Sequence, residues 1–182
     1  MIELKQHPAY SLIEKLDKSG SGCNIMISYV ILQNDLPYCG VETHKKAALN
    51  AMHILENRFK SEYSSKFIIE KSKMSAAPYK LEDLLDSSDD GEYRHAFLEP
   101  PYGSDLTKED FIHVNNVLFP NTENIEIYDW CSDIDWHSSP PYWENKWSDY
   151  FDYGLEWWGA YFWTIYDKND NIFIIIAAST TD

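Results

Sequence analysis

Two stretches of nearly unbroken apolar sequence lie close to the C-terminus, residues 157–166 and 172–178, with Asp167-Lys168-Asn169-Asp170-Asn171 between them. The first is rich in Trp, Tyr and Phe, the second in Ile, and the five residues between are turn formers. The pattern predicts a β-hairpin. A strand with one wet face alternates apolar and polar residues. These two do not, so the hairpin is expected near the centre of a sheet, covered on both faces.

The remaining elements are read from spacing. Residues 8–18 form a short helix through Tyr10, Ile13 and Leu16, with Gly20-Ser21-Gly22 as its stop. Residues 23–33 read as a buried strand, and 41–60 as the clearest helix, with Ala48, Met52, Leu55 and Phe59 three or four residues apart. Residues 62–73 continue as a helix or, through Phe67-Ile68-Ile69, as a strand. Loops are expected at 75–78 and 86–91, a helical turn or two at 80–85, and a strand at 93–98 ending at Pro100-Pro101-Tyr102-Gly103. Thr107 is placed to cap a helix over 109–119 that Pro120 stops. A strand over 125–130 leads into a long irregular segment, 131–147.

At 182 residues, 44% of them hydrophobic, the chain suits one domain over 1–182. The expected fold class is α+β: an antiparallel or mixed central sheet, helices packed mainly on one face, and a C-terminal β-hairpin.

Charge constrains function more than fold. The formal net charge is −15. Residues 1–90 contribute −2 and residues 91–182 contribute −13, and 21 of the 28 aromatics also fall in the second part. Direct binding to a nucleic acid backbone is disfavoured by such a balance. No apolar run is long enough to span a bilayer, and the N-terminus lacks the basic and apolar regions of a secretory signal, so no membrane association is expected. Cys23, Cys39 and Cys131 are too few and too scattered for a disulfide framework. A cytoplasmic protein with free thiols is the expectation.

Few constellations point to chemistry. Asp129, Asp133, Asp135 and His137 are the best local match to a metal site, since Asp133, Asp135 and His137 share a side if the segment is extended. With a bound water, Asp133, Asp135 and His137 would serve a metal-dependent hydrolase. The pattern lacks the defined spacing of established metal motifs, and a solvated acidic loop accounts for it as well. Cys131 with His137, and Cys39 with His44, are the thiol–imidazole pairs, but an acidic neighbourhood raises a thiol pKa and works against a nucleophile. A third reading is a small-molecule module with an aromatic pocket near residues 157–163. The sequence names neither a catalytic residue nor a cofactor.

The block from Glu126 to Asp167 is the outstanding feature: nine acids against Lys146 alone, together with all seven tryptophans. Acidic side chains steer a basic partner, and Trp or Tyr anchors an interface. Much of the aromatic content must be core. Trp136, Trp143 and Trp147, set among Pro, Ser and acids, are the candidates for exposure.

Glu99-Pro-Pro-Tyr-Gly103, Trp147-Ser-Asp-Tyr-Phe-Asp-Tyr-Gly154, Glu156-Trp-Trp-Gly159, Trp163-Thr-Ile-Tyr-Asp167 and the terminal Ala178-Ser-Thr-Thr-Asp182 resemble the phrasing of small cytoplasmic immunity proteins of bacterial polymorphic or contact-dependent toxin systems. The resemblance implies a protein that binds and neutralises a cognate toxin domain and turns nothing over itself. It covers about residues 95–182 and carries no active-site motif. On charge, the toxin domain is expected to be basic, as a nuclease would be. The partner-binding candidates are Asp133, Asp135, Asp149, Asp152 and Glu156, with Trp136 and Trp143 as anchors.

Overall fold

The computed structural model describes residues 1–19, 25–59, 66–134, 145–155 and 158–180. In chain order its elements are β1 (Ile2–Glu3), α1 (Pro8–Asp17), β2 (Ser28–Gln33), α2 (Val41–Phe59), β3 (Ala77–Tyr79), α3 (Leu81–Leu84), α4 (Glu92–Leu98), α5 (Lys108–Leu118), β4 (Ile125–Asp129), α6 (Asp152–Leu155), β5 (Ala160–Asp167) and β6 (Ile172–Ser179). Short 3-10 turns at Lys71–Lys73 and Asp149–Phe151 complete the set.

The six strands form one antiparallel sheet in the order β1-β2-β6-β5-β4-β3. The hairpin β5-β6 occupies its two central places, as the unbroken apolarity requires. Every residue of β5, and all of β6 but Ser179, is buried. In the turn, Asp167 accepts the Asn169 and Asp170 N–H groups through Oδ1 at 2.8 and 3.3 Å. Asn171 takes a positive φ of 54° there, a conformation asparagine tolerates.

Period-two alternation divides the central strands between two cores. Tyr161, Trp163 and Ile165 of β5, with Ile172, Ile174 and Ile176 of β6, face α1, α3, α4 and α5. Phe162 and Tyr166, with Phe173 and Ile175, face α2 and α6. Four of the six helices described therefore share one face, while the longest helix lies on the other.

The expected strand at 93–98 is a helix, α4. Tyr93, Ala96 and Phe97 are its buried positions, the i, i+3, i+4 spacing of a helical stripe. They pack on α5, with Phe111 ring centroids 5.0 Å from Tyr93 and 5.6 Å from Phe97. A run of six residues fits either period, and the partner helix decides between them. Gly91 precedes α4 in contact with the preceding turn: a Cβ there would lie 2.2 Å from the Asp86 carbonyl oxygen. Part of the expected loop at 75–78 belongs instead to β3, a three-residue edge strand where Pro78 is tolerated because edges need fewer N–H donors. Within 62–73, the described residues form neither a continuous helix nor a strand, only a bridge between Ile69 and Ser148 and the 3-10 turn. The Thr107 cap is present as expected, in a reciprocal capping box with Asp110.

The outer edge of β2 is closed by side chains. Tyr10 Oη accepts the Ile31 N–H at 2.8 Å, and the Arg58 guanidinium donates to the Tyr29 carbonyl at 2.7 Å. Leu4 donates to the Ile31 carbonyl at 2.8 Å. Groups that would otherwise template another strand are thus occupied.

Candidate functional site

The end of β4 turns into an acidic cluster on the α4–α5 face. Asp129 is 9% exposed, and its Oδ1 accepts the Cys131 N–H at 2.8 Å. Burial pushes its carboxyl up to about 6, reinforced by the charges of Glu92 and Asp133 and partly offset by amide donors. Glu92, in the first turn of α4, accepts from Tyr79 Oη at 3.2 Å, and burial raises that phenol as well. Cys131 is buried, and burial first, then Asp129 and Glu92, holds its thiol well above the ordinary range. Its acidic setting is the one expected from sequence, and it disfavours the thiolate a nucleophile needs.

Asp133 is exposed beside this cluster. Asp135 and His137, the other members of the metal reading, lie outside the described residues. Among the described residues no group of three His, Cys, Asp or Glu side chains is disposed to hold a metal ion.

A different polar assembly occupies the α2 face. His44, in the first turns of α2, has no exposed surface. Its Nδ1 lies 2.8 Å from Thr164 Oγ1 on β5, and its Nε2 lies 3.1 Å from Tyr38 Oη. Trp130 Nε1–H also donates to Thr164 Oγ1, at 2.8 Å. Donor accounting then orders the chain. The Thr164 hydroxyl donates to Nδ1, and the ring donates from Nε2 to Tyr38. Tyr38 in turn bonds Glu126, which pairs with Lys168 at 2.9 Å. Burial lowers the His44 pKa to about 4, so the ring is neutral at pH 7, in keeping with this order. Cys39 takes no part: it is exposed, and its backbone N–H donates to Thr43 Oγ1.

The third locus carries two of the acids singled out from sequence. Asp149 Oδ1 accepts the Ile68 N–H at 2.8 Å, and its own N–H donates to the Ile68 carbonyl at 3.3 Å. Asp152, the first residue of α6, pairs with Lys146. Asp149 is therefore structural as well as acidic, and Asp152 is already partly neutralised. Beside them Ile68 is 66% exposed and Tyr153 49%.

Of the other candidates, Asp135, Trp136, Trp143 and Glu156 lie outside the described residues. Trp147, expected to be a candidate for exposure, is core. It is 1% exposed, its Nε1–H donates to the Trp130 carbonyl, and its ring meets Phe151 and Phe162 edge-on. Trp130, Trp158 and Trp163 are also buried. A tryptophan in an irregular segment still buries wherever two aromatics and a carbonyl can receive it.

Three residues escaped the sequence reading: Glu92, Tyr38 and Ile68. The signal for Ile68 was there. In Lys66-Phe67-Ile68-Ile69-Glu70, alternation puts Ile68 on the side of the two charges and Phe67 with Ile69 on the other. Glu92 and Tyr38 carried no signal, because only the tertiary fold brings them to Asp129 and His44.

No helix among the described residues is long and apolar enough to cross a membrane. No protein-family model matches the chain, and no curated protein or solved structure matches it either.

Proposed function

We propose that this protein is an immunity or inhibitor protein that binds and neutralises a basic toxin domain through acidic surface in its second half. The observation that carries the reading is the charge of the segment 126–167, nine acids against one lysine, combined with where the described members stand. Asp133 is exposed, Asp149 and Asp152 are half-exposed, and the exposed ring of Tyr153 adjoins them. Clustered carboxylates give fast, salt-sensitive capture of a basic protein, and an aromatic beside them supplies apolar contact area. A nuclease domain, whose cleft is built for phosphates, is the partner class this charge suits best. Carboxylates seated in such a cleft would occupy the places of the phosphates. The inhibitor acts by occupancy, so its own chemistry is binding alone, in the cytoplasm where an incoming toxin would be met.

The test is titration of the full chain against the basic toxin domain encoded beside it, at low and high salt, with the toxin's activity as readout. Stoichiometric neutralisation that weakens with salt supports the reading. Full toxin activity in the presence of excess protein removes it.

A further inference from the structure

Scattered exposed apolar side chains are ordinary, and Ile2 and Tyr102 are two of them here. Ile68 differs in how it is held. Both of its backbone polar groups bond Asp149, one of them to the carboxylate. Ile69 bridges Ser148, and the Glu70 N–H donates to the Trp147 carbonyl at 2.8 Å. Residues 68–70 and 147–149 thus lie together as a short antiparallel pair. Phe67 turns inward, its ring edge-on to Tyr150 at 5.3 Å, and Ile69 is half-buried. Ile68 is left facing water on a backbone already ordered, so docking onto it carries little of the usual cost of fixing a loop.

The surroundings match that placement. Asp149 and Asp152 flank Ile68 along the next segment, and Tyr153 extends the apolar area. Among the described residues the Asp149 carboxylate has one bond, through Oδ1 to the Ile68 N–H, which leaves Oδ2 for an incoming donor. An apolar centre with an acidic rim is the anatomy of a protein interface, here complementary to positive charge.

We propose that Ile68, Asp149, Asp152 and Tyr153 form the docking face for a basic protein. Ile68 and Tyr153 fill its apolar depressions, and an arginine or lysine of the partner meets Asp149. The proposal rests on the inhibitor reading above and narrows it to one surface, away from the Asp129 cluster.

The experiment is a nuclear magnetic resonance titration of the labelled full chain with a short peptide of alternating Arg and Leu, at low salt. Saturable shifts centred on the amides of Ile68, Asp149 and Tyr153 are expected. Ile68→Glu should weaken binding about tenfold. Asp149→Asn, which keeps an acceptor for the Ile68 N–H while removing the charge, should weaken it about threefold or more. Asp133→Asn should leave it unchanged. If Ile68→Glu does not fold, Tyr153→Ala and Asp149→Asn carry the same test. Shifts centred on Asp133 and Glu92, with Ile68 still, overturn the docking face and leave the basic-partner reading standing. No saturable shift anywhere overturns both.

Discussion

The two faces of the sheet each bury a titratable side chain, and they treat it in opposite ways. On the α2 face, His44 has both ring nitrogens engaged, and its chain of bonds runs from the Trp130 indole through Thr164 and Tyr38 to the Glu126–Lys168 pair at the surface. On the α4–α5 face, Asp129 has amide donors but sits among other carboxylates, Glu92 and Asp133. The first group is kept neutral at pH 7 and fully satisfied. The second is ionised at pH 7 only against burial and like charge. A buried polar network strengthens a fold when every member has a partner, and a buried charge without an opposite partner weakens it. The molecule therefore holds a stabilising polar centre on one side of its sheet and a destabilising one on the other.

Several measurements can break or sharpen that contrast. The largest effect is expected from His44→Leu, which strands the hydroxyls of Thr164 and Tyr38 inside the core. A loss of about 3 kcal/mol in urea unfolding is expected, and a loss under about 1 kcal/mol would show the network to be incidental.

A pH series on variants tests the same contrast from the linkage side. His44 has a folded pKa of about 4 against an ordinary 6.5, so the unfolded chain takes up its proton first. Its contribution is complete above pH 6.5 and is lost as pH falls toward 4. Asp129 has a folded pKa of about 6 against 3.8, so the unfolded chain releases its proton first. Stability from Asp129 is complete below 3.8 and is lost as pH rises toward 6. Each amounts to about 3 kcal/mol, and over the shared window the two slopes oppose each other in the intact protein. Asp129→Asn should therefore lose stability steeply on acidification from pH 6.5 to 4, and His44→Gln should gain it. Parallel curves for the three proteins would sink the account.

At pH 7 itself, Asp129→Asn should raise stability by about 2 kcal/mol, because an amide can accept the same backbone donors without the cost of charge. Thermal unfolding reads this directly, and a decrease would mean that Asp129 has a cationic partner. The smallest change is Thr107→Ala. Loss of the α5 cap should cost about 1 kcal/mol. Hydrogen exchange should rise first in α5 and α4, on the Asp129 side, while the amides of α2 keep their protection.

Legibility followed the distance over which each feature is decided. The β5-β6 hairpin was readable because both strands are buried on both faces and their turn residues are local. α2 and α5 were readable from a sustained apolar stripe and from the Thr107 cap. α4 was not, since seven residues give too few repeats to separate a period of 3.6 from a period of two. Asp149 and Asp152 were singled out for their charge, and that choice could not foresee that one ties down Ile68 while the other pairs with Lys146.

By itself, the sequence determined the α+β class, the central hairpin, the long helix, and an acid excess concentrated in the second half. Each depends on local period, turn chemistry or plain counting. Only the tertiary structure decided which helix covers which face, that Trp147 is core, that His44 meets Thr164 across 120 residues, and that Glu92 faces Asp129. These are pairings between distant segments, and a side chain's charge state, burial and role follow from the neighbour that folding brings to it.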